Sequence, residues 1–164
     1  MVGLAGLRRR GALALGLATV LAGCTSTAKS TDSKEVRTDT EPLERRFVTL
    51  GPLSDAHWLG VVLGTGSRVP GPTDVRVVGF AQLRAGAVAS IVGASQLGFQ
   101  PAMPSRLPAE LMRFMPENAR WVRSGSFDGQ VTGETYSGAF YFDLGADWVY
   151  FDTINPSAVA GSGE

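Results

Sequence analysis

The chain has 164 residues, with 15 bases, 15 acids, one histidine and one cysteine. A lone cysteine excludes a disulfide framework, and one histidine with one thiol does not make a zinc site. Balanced charge excludes the basic face that nucleic-acid binding needs, and the length suits one domain with one core.

The first predicted element is an export signal. Arg8, Arg9 and Arg10 precede an apolar run from Gly11 to Leu21, and no acid occurs before Asp32. Positive charge placed this way stays on the cytoplasmic side during insertion. As a helix the run spans about 16 Å, well short of the roughly 30 Å hydrocarbon core, so it does not make a permanent transmembrane span. It closes on Leu21-Ala22-Gly23-Cys24. This arrangement resembles the signal of bacterial lipoproteins, whose lipobox reads Leu-Ala-Gly-Cys. The resemblance covers residues 1–24 and implies cleavage between Gly23 and Cys24. It further implies that Cys24 is diacylated, palmitate-like, on its thiol and becomes the new N-terminus. Two acyl chains hold a protein stably where one gives marginal, reversible anchoring. The expected location is therefore the extracytoplasmic face of a bacterial cell membrane. Arg8 to Leu13 also resembles a twin-arginine signal but lacks its bulky aromatic residue, so both export routes stay open.

Loss of residues 1–23 removes three arginines and leaves 12 bases against 15 acids, a net charge of about −3. That argues against nucleic acid and against a polybasic membrane patch beyond the lipid itself. Residues 25–42 are polar and end in Pro42. Such a segment buries too little surface to offset its ordering entropy, so residues 24–42 are expected to be the lipidated cysteine and a flexible tether. Its reach is roughly 20–25 Å by flexible-chain scaling.

Residues 43–155 are the expected globular domain, and 156–164 a frayed tail. Short strands are predicted at Arg45–Leu50 and His57–Leu63, followed by a stiff turn at Val69–Asp74 with two prolines. Val75–Leu83 alternates, with Val75, Val77, Ala81 and Leu83 on one face. Ala87–Val92 reads as its partner strand. Pro108–Met115 is the one predicted helix, with proline in its first turn and Pro116 after it. Its apolar stripe, Leu107, Leu111, Phe114 and Met115, is a packing face rather than a cofactor box. Arg120–Phe127 reads as a strand ending at a turn, Asp128-Gly129. Tyr136–Leu144 and Trp148–Ile154 form a hairpin across Gly145-Ala146-Asp147. Aromatic residues on both of its faces imply cover on both sides, or a sticky outer face. The expected fold is α+β: a mostly antiparallel sheet of about six to seven strands with one short helix, or else a small β-barrel with a flanking helix.

Catalytic signatures are absent: no Gly-x-Ser-x-Gly, no His-Glu-x-x-His and no phosphate-binding Gly-x-x-x-x-Gly-Lys motif. Ser54, Asp55 and His57 lie close in sequence, but triads are assembled from separate, rigidly placed segments, so His57 reads as a structural histidine at a strand start. Asp128, Glu134, Asp143, Asp147 and Asp152 crowd the last third. A calcium site or a hydrolytic pair near Asp143 and Asp152 is one reading, but the calcium-loop spacing is missing and turn chemistry accounts for the acids. Tyr141, Trp148 and Tyr150 fall off the core-facing side of the hairpin and are the candidate ligand-binding residues. No catalytic residue, metal or cofactor is expected. The function read here is a non-enzymatic binding or accessory domain in the bacterial envelope. A small carboxylate hydrolase and a structural partner of a larger envelope complex are the alternatives. The expected partners are the membrane, through the lipid, and a small ligand or an envelope protein.

Overall fold

Alternation of side chains becomes strand wherever both faces of the chain are covered. The computed structural model describes residues 35–63 and 74–157. The signal segment, Cys24, the first part of the tether, the turn residues 69–73 and the tail from 158 lie outside the described residues. Among the described residues six strands form: β1 (Leu53–Leu63), β2 (Asp74–Leu83), β3 (Gln100–Pro101), β4 (Trp121–Arg123), β5 (Ser137–Asp143) and β6 (Trp148–Ile154). They pair antiparallel in the order β1-β2-β6-β5-β4-β3. The first and last strands do not meet, so the sheet is open and the barrel alternative falls. The class is α+β, mostly β.

Helical content departs from the expectation of one helix. Three short α-helices occur among the described residues: α1 (Glu41–Glu44), α2 (Ala87–Val92) and α3 (Gly125–Thr132). The strand expected at Arg45–Leu50 is instead the C-cap of α1 at Arg45, then a 3₁₀ turn, Val48–Leu50, closed by Gly51 at φ 77°. The strand expected at Ala87–Val92 is α2. Its first amides are capped from afar: Asp147 accepts hydrogen bonds from the Gly86 and Val88 N–H groups, each at 3.0 Å. A carboxylate there satisfies orphan donors and suits the helix's positive end. The strand expected over 120–127 stops at Arg123, because Ser124 caps α3 by accepting from the Phe127 N–H at 3.1 Å. The Ser124 hydroxyl also donates to the Leu97 carbonyl. Asp128-Gly129, expected as a turn, lies inside α3. The helix expected at 108–115 is a 3₁₀ segment, Ala109–Phe114.

Chain order begins before the expected boundary at 43. Arg37 and Trp58 exchange backbone hydrogen bonds of 2.8 and 2.9 Å, and the Trp58 indole donates to the Asp39 carbonyl. The Arg37 guanidinium lies 4.1 Å over the Trp58 ring. Residues 35–42 are thus fastened to β1.

The sheet is buried on both faces. On one, Val77, Ala81, Phe140, Phe142, Val149 and Phe151 pack beneath Leu43, Phe47, Val88 and Phe127. Phe127 meets Phe142 edge-on at 5.0 Å, an arrangement that aromatic quadrupoles favour. On the other, Leu59, Val78, Phe80, Trp121, Tyr141 and Tyr150 pack beneath Leu111 and its neighbours. Of the apolar stripe expected on segment 107–115, Leu107, Leu111 and Phe114 lid this second core, whereas Met115 is exposed.

Burial sets the alkaline limit of the fold. It pushes the Tyr136 phenol up to about 12. It pushes Tyr150 up too, with the Asp152 charge adding to the effect. Both phenols hold their protons more tightly folded than unfolded. The stability this represents is complete below about pH 10, the ordinary tyrosine value, and is lost as pH rises from there toward 12. In a Tyr141→Phe background, tyrosinate absorbance is therefore expected to appear together with loss of near-ultraviolet circular dichroism. Ionisation of Tyr136 and Tyr150 near pH 10 in the still-folded variant contradicts this.

Candidate functional site

The hairpin β5–β6 builds one wall of a cavity on the second face of the sheet. Alternation sends Ser137, Ala139 and Tyr141 from β5, and Asp152 and Ile154 from β6, to this side. Register sets Ser137 opposite Ile154, Ala139 opposite Asp152 and Tyr141 opposite Tyr150. On the next strand Arg123 lies beside Tyr141. The segment carrying Ser105 and Arg106 forms the other wall. The cavity is open to solvent on one side and has a volume of about 260 Å³. That is a little under the roughly 300–1,000 Å³ of ligand sites in general, and suits a small molecule.

Three arginines and two aspartates set its electrostatics. Asp152 is only 7% exposed and receives two hydrogen bonds from Arg76, Nε at 2.7 Å and Nη2 at 2.9 Å. This fork-to-carboxylate geometry is the strong form of an ion pair. Arg106 Nη2 stands 3.6 Å from the same carboxylate, and its side chain is 77% exposed. Arg76 also donates to the Arg106 carbonyl at 2.8 Å, which pins that residue in a left-handed conformation at φ 57°. Arg123 donates from Nε to Asp128 at 2.7 Å, and its guanidinium lies 5.4 Å from the Tyr141 ring centre. Burial raises the pKa of Asp128; the Phe140 N–H and Arg123 pull it back without cancelling the rise. Burial works against the Arg123 charge, and Asp128 more than restores it.

The three candidate aromatics divide. Tyr150 is fully buried and Tyr141 is 6% exposed. Their rings lie 5.7 Å apart and belong to the second core. The face chosen from alternation is the one that carries the cavity, but segment 105–114 covers it, so it is no open aromatic platform. Tyr141 reaches the cavity wall, whereas Tyr150 sits behind it and donates to the Ser105 carbonyl at 3.4 Å. Trp148, half-buried, packs against the second core without lining the cavity. Gly23 and Cys24 lie outside the described residues.

The acids do not converge. Asp143 accepts from the Arg120 and Gly145 N–H groups at 2.8 and 3.0 Å, which is turn chemistry. Asp147 caps α2. Asp143 lies four residues along β5 from Ala139, the register partner of Asp152, a separation of roughly 13 Å at strand rise. Paired hydrolytic carboxylates stand about 5–10 Å apart. Among the described residues no three His, Cys, Asp or Glu side chains gather as a metal site.

His57 does turn to Asp55, with Nε2 at 3.1 Å from Oδ1, and its ring stacks on Phe114 at 3.8 Å. The Nδ1 atom is buried without a partner. Ser54 donates to the Gln82 carbonyl instead, so the three do not form a relay. Sequence reasoning missed Arg106 and Arg123. Arg106 sits in a proline-rich loop and Arg123 in a short strand, and neither position carries a motif. The usable signal was charge: an arginine on the buried face of a strand requires a partner.

Compared with protein-family models, curated proteins and solved structures, the chain has no significant match in any of the three.

Proposed function

We propose that this chain is a lipid-anchored bacterial envelope protein whose domain binds a small ligand on the extracytoplasmic side. The Leu21-Ala22-Gly23-Cys24 tetrad supports the anchor. Among the described residues no helix is long and apolar enough to cross a membrane, so the reading rests on the lipid. The cavity between β5–β6 and the Ser105–Arg106 segment carries the binding half of the reading. Polar side chains wall most of it, with Ala139 and Ile154 beside them, and its carboxylate is held as a structural ion pair rather than free for chemistry. A role as a structural partner draws support from a shallow apolar groove at the sheet edge, where Met103 is 67% and Leu144 43% exposed.

Metabolic labelling with palmitate tests the anchor. The wild-type chain is expected to take up label and to fractionate with membranes, and Cys24→Ser to do neither. Unlabelled wild-type protein in the soluble fraction sinks the anchor. A thermal-shift screen of small polar molecules tests the cavity: at least one class is expected to raise Tm, and Ser137→Trp, which fills the cavity, to abolish the rise.

A further inference from the structure

The charges around the cavity do not cancel. Arg76, Arg106 and Arg123 face Asp128 and Asp152, so three positive charges meet two negative ones. Arg76 and Asp152 satisfy each other, and Asp128 is occupied by Arg123 Nε and the Phe140 N–H. Arg106 keeps its donors, since its nearest carboxylate oxygen is beyond hydrogen-bond length, and Arg123, engaged by Asp128 through Nε and by the Tyr141 side chain, keeps the rest of its five N–H groups. A guanidinium offers five N–H donors and accepts nothing. Its complement is a planar anion. Each of the two arginines contributes to the cavity wall, and the Ser137 and Tyr141 side chains stand near them.

We infer that the cavity holds the carboxylate of a small monocarboxylic acid between Arg106 and Arg123, an inference that rests on reading this cavity as the ligand site. One negative charge balances the excess of one positive charge, whereas a phosphate dianion over-compensates it and meets the Asp152 carboxylate. The volume of about 260 Å³ accommodates a small acid. Ala139 and Ile154 supply an apolar wall for its short chain, and the Ser137 hydroxyl a partner for a hydroxyl substituent.

The test is calorimetric titration of the detergent-solubilised full chain with acetate, glycolate, acetamide and inorganic phosphate, with sodium chloride matching ionic strength. Acetate and glycolate are expected to bind saturably and to raise Tm, and acetamide to do neither. Arg106→Gln is expected to weaken carboxylate binding tenfold or more. Its exposed side chain and retained backbone carbonyl leave the fold intact, which an unchanged Tm without ligand verifies. Arg123→Lys, which keeps the charge beside Asp128, is expected to weaken binding through loss of the planar fork. Acetamide binding as tightly as acetate overturns the inference while leaving the cavity as a ligand site. Phosphate binding more tightly than acetate, or chloride stabilising equally, overturns the charge-balance argument and with it the inference. If no acid binds but neutral molecules from the screen do, the inference fails alone. If nothing binds and Ser137→Trp is silent, the ligand-site reading fails with it.

Discussion

Asp152→Asn is expected to lower stability by about 3 kcal/mol, at the low end of the cost of breaking a buried ion pair. Asp152 lies mid-strand between Val78 and Ala139, a place that favours apolar side chains. It is tolerated there because Arg76 meets both of its oxygens. Asparagine keeps the shape but points an N–H₂ group at one guanidinium donor and leaves Arg76, 19% exposed, without its counter-charge. Partial solvent access and the Arg106 carbonyl hold the loss to the low end. In denaturant titrations the double variant Arg76→Met, Asp152→Asn is expected to cost less than the sum of the single changes by about 1 kcal/mol or more. Additive losses contradict a coupled pair. The same substitution raises the positive excess of the cavity from one charge to two, so phosphate should gain on acetate in the variant.

Gly79→Ala is expected to cost about 3 kcal/mol or more and to lower Tm by roughly 10 °C. Gly79 pairs with Trp58 just past the bulge where register shifts between Ser54 and His57. A methyl group at Gly79 falls 2.4 Å from the His57 carbonyl oxygen and 2.5 Å from Trp58 Cβ. Neither obstacle is a flexible side-chain end. Relief requires moving β1 from β2, and Trp58 carries the bonds to Arg37 and Asp39 with it. Gly60→Ala is the matched control, since its methyl meets only a Trp58 ring carbon at 3.8 Å. Its effect should stay within about 0.5 kcal/mol, as for surface changes in general. Equal behaviour of the two variants defeats the close-approach argument.

Where local pattern and burial agree, the fold is legible in the chain. The hairpin of β5 and β6 is the clearest case. Phe140 and Phe142 alternate with Tyr141, and Val149 and Phe151 with Tyr150, and both sets are buried. Aromatic residues on both faces implied either cover on both sides or a sticky outer face, and the helices and segment 105–114 provide the cover. Val75–Leu83 was equally plain. Ala87–Val92 misleads because its small apolar residues fit strand or helix alike. Asp147, which decides for helix, lies 59 residues away in another turn. Ser124 caps α3 in the structure, but Trp121, Val122 and Phe127 read along the chain as one continuous strand. The cavity was half legible: alternation put Tyr141 and Asp152 on the face that carries it, but nothing local pointed to Arg106 or Arg123.

Sequence alone determined the features that are linear. The proposed lipobox is a contiguous segment, so the whole of that proposal is carried by four residues behind a basic, apolar leader. Strand faces are set by a period of two along the chain, and the lid of the second core by its apolar stripe. Tertiary structure decided which helices form and where charges meet. The cavity draws Arg123 from β4, Ser137 and Tyr141 from β5, Asp152 from β6 and Arg106 from a loop, and the Arg76 that holds Asp152 comes from β2. These become neighbours only through the sheet order β2-β6-β5-β4, in which pairing of residues as far apart in the chain as Arg76 and Ile154 is chosen by the burial of both faces at once. Side-chain charge adds across space and not along the chain, which is why the unbalanced arginines emerge only in the folded protein.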